Sequence, residues 1–268
     1  MLIAQITDLH ISLPGRRAHE VYRTAEHLER WVARLNALEP RPDAVLATGD
    51  LVNDGEVEEY EQLATLVEGL EMPLYLIPGN HDSRNAMRAV FAAHRYLGEH
   101  GYMQYVVDDY AVRLIGLDTL KPGSHAGELC DERCAWLAAR LAEAPDKPTL
   151  IFMHHPPFRT GVPPMDAYGL DGTERFRAAI AGYDNIERIV AGHLHRPIQQ
   201  RVGNTVASTA PATAHQVALR FAPEARLTMT FEPPACQLHY WLGPADGLVS
   251  HTVYLDEAVI PPASSAES

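Results

Sequence analysis

The chain has 268 residues, 46% of them hydrophobic, which is enough to bury one large core. Its 22 Lys and Arg against 35 Asp and Glu give a net charge of −13, and no stretch concentrates basic residues with interleaved aromatics, which argues against a protein that tracks a long nucleic acid. No apolar run approaches the roughly 18 to 20 residues of a membrane span, and Met1 to Asp8 lacks a signal peptide's basic start and small-residue cleavage site, so a cytoplasmic protein without membrane insertion is expected.

In chain order, Leu2 to Thr7 is a short apolar run that ends at an acid and predicts a buried first strand. From Glu20 to Leu38, apolar residues recur every three or four positions, predicting an amphipathic helix stopped by Pro40 and Pro42. A strand at Asp43 to Thr48, a helix from Glu56 to Leu70, a strand at Pro73 to Pro78 and a helix from Ser83, a candidate cap, to Leu97 follow. This alternation is the grammar of a sheet covered by crossover helices.

Tyr102 to Val107 and Ala111 to Asp118 read as neighbouring strands, followed by a helix at Asp131 to Ala144 and a strand at Thr149 to Met153. A Pro-rich loop, His155 to Gly172, leads to a helix at Thr173 to Ala181 and a strand at Ile186 to Ala191. Beyond Pro197 the helical period disappears. Short strands are predicted at Ile198 to Val202, Thr205 to Thr209, Gln216 to Phe221, Leu227 to Phe231, Gln237 to Leu242 and Val249 to Tyr254. The expected organisation is a catalytic domain over 1–222, a strand-rich C-terminal extension over 223–260 that presents Leu238, Tyr240, Trp241 and Leu242 for self-association, and a disordered tail over 261–268.

Cys130, Cys134 and Cys236 form neither a disulfide framework nor a zinc site, and read as idle thiols. The 14 histidines are the anomaly of the composition. Asp8 and His10 follow the first strand, Gly49-Asp50 the second and Gly79-Asn80-His81-Asp82 the third. His154 follows the strand ending at Met153, and Gly192-His193-Leu194-His195 the strand ending at Ala191. Loops at the carboxyl ends of such strands gather at one rim, so five loops would deliver polar tips to one place. The x-separated pairs Asp8/His10 and His193/His195 would point the same way along extended segments, and Gly49, Gly79 and Gly192 would permit sharp turns or close approach. Carboxylate, amide and imidazole donors without thiolate suit Fe, Mn, Zn or Co rather than Ca or Mg.

Taken together and in this order, Asp8-x-His10, Gly49-Asp50, Gly79-Asn80-His81-Asp82, Met153-His154-His155-Pro156-Pro157 and Gly192-His193-x-His195 resemble the five blocks of the calcineurin-like metallophosphoesterases, with no ligand missing. The spacing and the His-Pro-Pro block are similar to the bacterial class III cyclic-nucleotide and glycerophosphodiester phosphodiesterases. The resemblance implies a four-layer α/β/β/α sandwich of two mixed sheets flanked by helices. It also implies two divalent metal ions, one on Asp8, His10, Asp50 and His195, the other on Asp50, Asn80, His154 and His193, with Asp50 bridging. It further implies His81 as the non-ligand histidine over the substrate, His215 as a further substrate-side histidine, and hydrolysis of a small phosphodiester by hydroxide generated on the metals. The related enzymes commonly form homodimers or larger assemblies.

Around these residues, Asp82 or Asp54 is the candidate to orient the His81 ring, and His155 should face away from the centre. Arg16 and Arg17 are candidates for the entrance, and the loop from Phe158 to Gly172, with Phe158, Met165 and Tyr168, for a wall that reads the leaving group. The competing activities are phosphomonoester hydrolysis and a non-catalytic protein-binding scaffold.

Overall fold

The computed structural model describes residues 1–256, so the predicted tail at 261–268 lies outside the described residues. Two mixed sheets stack face to face. The first runs Leu248–Tyr254, Ala235–Trp241, Leu2–Ile6, Ala44–Thr48, Leu74–Ile77. The second runs Ile198–Val202, Thr205–Thr209, Ile186–Ala191, Thr149–Phe152, Arg113–Gly116, Tyr105–Val107. Central pairs are parallel and most outer pairs antiparallel.

Alternation along the second sheet explains the layers. Leu114, Phe152 and Val190 join the core shared with the first sheet, whereas their neighbours Ile115, Ile151 and Ile189 pack with Leu137, Leu141, Phe176 and Ile180 of the helices Asp131–Glu143 and Thr173–Ile180. The helices Thr24–Asn36 and Val57–Val67 cover the first sheet through Leu28, Trp31, Leu35, Tyr60 and Leu63. Glu56 and Glu59 form a reciprocal cap on the second of these, and the Ser83 hydroxyl accepts from the Ala86 N–H at the start of Arg84–Val90. This is the four-layer α/β/β/α arrangement expected from the sequence. Among the described residues no helix is long and apolar enough to cross a membrane.

Three segments differ from expectation. The helix expected over 20–38 is broken: a single turn at Arg17–Glu20 is separated from Thr24–Asn36 by Arg23 in the left-handed region at φ 51°, because the buried Thr24 hydroxyl donates to the His10 carbonyl (3.0 Å) and so ties this corner to the site. The two strands expected between 216 and 231 shrink to Gln216–Val217 and Met229–Thr230, a hairpin with no third strand to extend it. The strands 235–241 and 248–254, read as part of an extension, are built into the first sheet: Leu2 to Gln5 pair with Tyr240 to Gln237, so the end of the chain completes the sheet that its beginning opened. Leu238 and Trp241 therefore pack on the core, and only Tyr240 and Leu242 of the expected apolar patch are exposed.

Gly192, directly after the strand Ile186–Ala191 of the second sheet, faces Thr7 and Thr48 at strand ends of the first. A methyl group there would overlap the Thr7 hydroxyl and lie 3.0 Å from the Thr48 carbonyl. Gly192→Ala is expected to lower stability by about 1–3 kcal/mol, the usual cost of overpacking, read as a reduced midpoint in urea unfolding with unchanged slope.

Candidate metal centre

All five loops meet at the carboxyl ends of the parallel strands, and the residues there leave ordinary backbone conformations. Asp8, His10, Asp50, His193 and His195 all have positive φ, between 43° and 69°. Left-handed non-glycine residues cost on the order of 1–3 kcal/mol each and persist only where surrounding structure enforces them. The pairs Asp8/His10 and His193/His195 do converge, but through these left-handed turns rather than through the extended alternation expected from sequence. Glycine makes the crowding tolerable: a Cβ on Gly49 would strike the His154 ring, and one on Gly79 would strike Asp50.

Asp50 is the hinge of the cluster. Its Oδ2 lies 3.7 Å from His10 Nε2 and its Oδ1 lies 3.4 Å from His154 Nε2. On the first side, His195 Nε2 is 3.3 Å from both His10 Nε2 and Asp8 Oδ1. On the other, His154 Nε2 is 3.1 Å from Asn80 Oδ1, and the His193 ring centroid lies 5.2 Å from that of His154. Donor atoms of Asp8, Asp50 and His154 fall within 4.8 Å of one another, as do those of His10, Asp50 and His81.

Main-chain carbonyls choose the tautomers. His154 Nδ1 donates to Thr48 O (2.9 Å), His195 Nδ1 to His215 O (3.0 Å) and His193 Nε2 to Tyr168 O (3.1 Å), so each ring turns its other nitrogen to the centre. His155 has both nitrogens engaged, accepting from the Thr119 hydroxyl (2.8 Å) and donating to His125 O (3.0 Å), although its ring packs 4.5 Å from that of His193 rather than turning away from the centre.

Burial lowers His10 and His193 well below the usual histidine range, helped by His81 and His155 respectively. Burial also opposes charge on His154 and His195, but Asp50 raises the first to about 9 and Asp8 raises the second. Asp50 is held well below the carboxylate range because His154 and His81 outweigh its desolvation. The cluster therefore demands positive charge beside its two carboxylates and offers neutral nitrogen and oxygen donors around them, a chemistry that divalent cations satisfy.

The calcineurin-like phosphoesterase profile matches residues 1–197, the span that holds Asp8, His10, Asp50, Asn80, His154, His193 and His195. The chain belongs to the calcineurin-like phosphoesterases. Among its relatives, a probable glycerophosphodiester phosphodiesterase GpdQ of Arcobacter nitrofigilis is 35% identical over 95% of this chain and 93% of its own length. A probable cyclic nucleotide phosphodiesterase of Rhodopseudomonas palustris is 37% identical over 87% of this chain and 86% of its own. In architecture, a dimetal phosphatase from Danio rerio superposes with a TM-score of 0.67 at 14% identity, covering 96% of this chain and 99% of that one.

Several expectations around the phosphoesterase centre are corrected. Neither Asp82 nor Asp54 orients His81: its Nδ1 donates to the Asn53 carbonyl (2.6 Å), leaving Nε2 free, while its N–H donates to Asp50 Oδ1 (2.9 Å). Asp82 instead gathers the N–H groups of Gly79 and Leu51 and the Tyr60 hydroxyl, and burial together with Asp50 pushes its carboxyl up to about 6. Arg16 does not guard an entrance, because it is tied to Asp54 and Glu56 at 2.7 Å each. Arg17 lies over the Tyr22 ring. Phe158 packs in the second core, while Met165 and Tyr168 do line the cavity.

His215 is buried beside His10 and His195, stacked on Tyr22 with ring centroids 3.9 Å apart, its Nδ1 without a hydrogen-bond partner. Desolvation, then His195, push it down to about 2, so it is neutral. Sequence reasoning missed His125, whose Nδ1 accepts from the Asn80 amide (3.4 Å); one histidine in the turn between Lys121 and Gly127 carries no motif that would have flagged it. It also missed Val217, Leu227 and Met229, which share the cavity with His10, Asp50, Asn80 and His81.

Asp50→Ala removes the carboxylate facing both halves of the cluster. Purified without added metal and measured by elemental analysis, this variant is expected to lose most bound metal, whereas the parent protein retains it; retention of two metals per chain by the variant contradicts the arrangement.

Proposed function

We propose that this chain is a dinuclear metal-dependent phosphodiesterase acting on small diesters, 3′,5′-cyclic nucleotides or glycerophosphodiesters. The observation that carries the reading is the placement of Asp50, one oxygen toward His10 and the other toward His154, between two sets of inward ring nitrogens. Asp8, His10, Asp50 and His195 would hold one cation, and Asp50, Asn80, His154 and His193 the other, drawn from Fe, Mn, Zn or Co. Divalent cations supply hydroxide from water at neutral pH and draw charge from phosphoryl oxygens.

The protein's own residues do the rest. His81, its Nδ1–H held by the Asn53 carbonyl, faces the cavity with Nε2, and its imidazolium form would pass the Nε2 proton to the departing alkoxide. Asn80 lines the same cavity, while His215 is buried beside His10 and His195. Only two carboxylates stand among the ligands, so an occupied centre keeps a small positive remainder. A monoanionic diester matches that remainder more closely than a dianionic monoester. The names of the relatives favour the same class. A protein-binding scaffold would have no need of an intact ligand set, and phosphomonoester hydrolysis is the secondary activity.

The unpaired edge strand Leu248–Tyr254 and the exposed Tyr240, Leu242 and Tyr254 support self-association through this face in solution.

His81→Ala is expected to lower kcat by about a hundred- to ten-thousand-fold with metal content unchanged; parallel loss of metal places His81 among the ligands instead. Matched bis-aryl and mono-aryl phosphates, assayed with and without chelator at one pH, should show higher kcat/KM for the diester and loss of both activities on chelation. A clear monoesterase preference rejects the charge argument. Sedimentation at micromolar concentration should give at least a dimer; a particle of 29.6 kDa contradicts self-association.

A further inference from the structure

The cavity at the centre has a volume of about 300 Å³ and two unlike halves. One half is the polar cluster with His81 and His125. The other is Met165 and Tyr168 from the 158–172 loop facing Val217, Leu227 and Met229 from the hairpin. This second half is a built wall. Val162, Met165, Leu194 and Val217 form a small core of their own, with Met229 packed against it. Leu194 stands between the ligands His193 and His195, so the wall is anchored to the centre itself.

Charge is missing from the wall. Among the described residues, Asp50 is the only carboxylate lining the cavity, and no Lys or Arg lines it. The nearby Arg196 is engaged with Val217 O (2.7 Å) and Glu232 (2.9 Å). Leu227 is both a lining residue and 44% exposed, and Leu219, Phe221 and Phe231 close to it in sequence are exposed as well. Apolar side chains lining one half of a cavity beside a charged centre indicate a ligand with an apolar portion to cover them. An ammonium arm finds no counter-charge on this wall. A polyhydroxylated arm finds few partners, because a hydroxyl placed against methionine and leucine loses its water without replacement.

We infer that the centre selects diesters carrying one apolar or aromatic arm, and that the hairpin spanning 216–230 is the element that reads it. The inference rests on the phosphodiesterase reading above and adds the chemistry of the arm. Tyr168 offers a ring face on one side, Leu227 and Met229 cover the other, and the phosphoryl group lies over the ligands.

The test uses the Mn²⁺-loaded protein and three diesters of glycerol 3-phosphate whose second arm is benzyl, 2,3-dihydroxypropyl or 2-aminoethyl, all alkoxide leaving groups. The benzyl diester is expected to have a kcat/KM at least about tenfold above the other two, the scale on which an apolar pocket discriminates. In Leu227→Ser and in Met229→Gln the ratio of benzyl to dihydroxypropyl should fall toward one. Equal or reversed selectivity in the parent protein overturns the inference and leaves the phosphodiesterase standing. If none of the three is hydrolysed, the glycerophosphodiester part of the phosphodiesterase reading falls instead. Calorimetric titration of the same diesters then reads the wall by itself: tighter binding of the benzyl diester supports the inference, and equal or weaker binding overturns it.

Discussion

Two carboxylates, Asp8 and Asp50, lie almost entirely out of water between two sheets, and most of the architecture around them answers that burial. A buried carboxylate needs donors or positive charge within reach, because its desolvation otherwise exceeds what packing returns. Asp8 accepts the His193 N–H and faces His195, while Asp50 accepts the His81 N–H and faces His10 and His154. These partners come from four loops besides the one that carries Asp50, so satisfying two acids pins five loops to one rim. The carbonyls of Thr48, His215 and Tyr168 then fix the imidazoles from behind, and the centre's geometry belongs to the main chain as much as to the side chains.

That convergence is held at the expense of backbone comfort. Five of the six non-glycine residues with positive φ among the described residues are proposed ligands. Gly49, Gly79 and Gly192 stand where a methyl group would meet His154, Asp50 or Thr7, so the sheets and loops close around the acids only with those side chains absent. Two sheets packed through Leu114, Phe152 and Val190 supply the rigidity that keeps such strained turns in place.

Around this fixed centre the surroundings divide the work. His81 is held by Asn53 and faces the cavity, Asp82 organises the loop that carries Asn80 and His81, and His155 braces the turn bearing His125. The hairpin at 216–230 shares a small core with the 158–172 loop, and that contact sets an apolar wall opposite the acids. The same donor cluster would serve many phosphate esters, and it does not by itself choose among their arms.

The sequence by itself determined the strand ends and the identity of the donors. A buried strand is a short apolar run, and a polar residue immediately beyond it in five separate places is visible without coordinates, which is why Asp8, His10, Asp50, Asn80, His154, His193 and His195 were all readable. Their common destination followed from the crossover rule. Tertiary structure alone decided which acid does what nearby: Asp82 adjoins His81 in sequence and Asn53 lies 28 residues before it, yet it is the Asn53 carbonyl that reaches the ring, because hydrogen-bond direction depends on how the loops fold over one another. It likewise decided that the strands 235–241 and 248–254 close the first sheet, since local periodicity gives a strand's faces but not its neighbour. His125 and the wall of Val217, Leu227 and Met229 had no signal at all, because a lone histidine in a turn and apolar residues in a short hairpin look the same whether they face a core, solvent or a substrate.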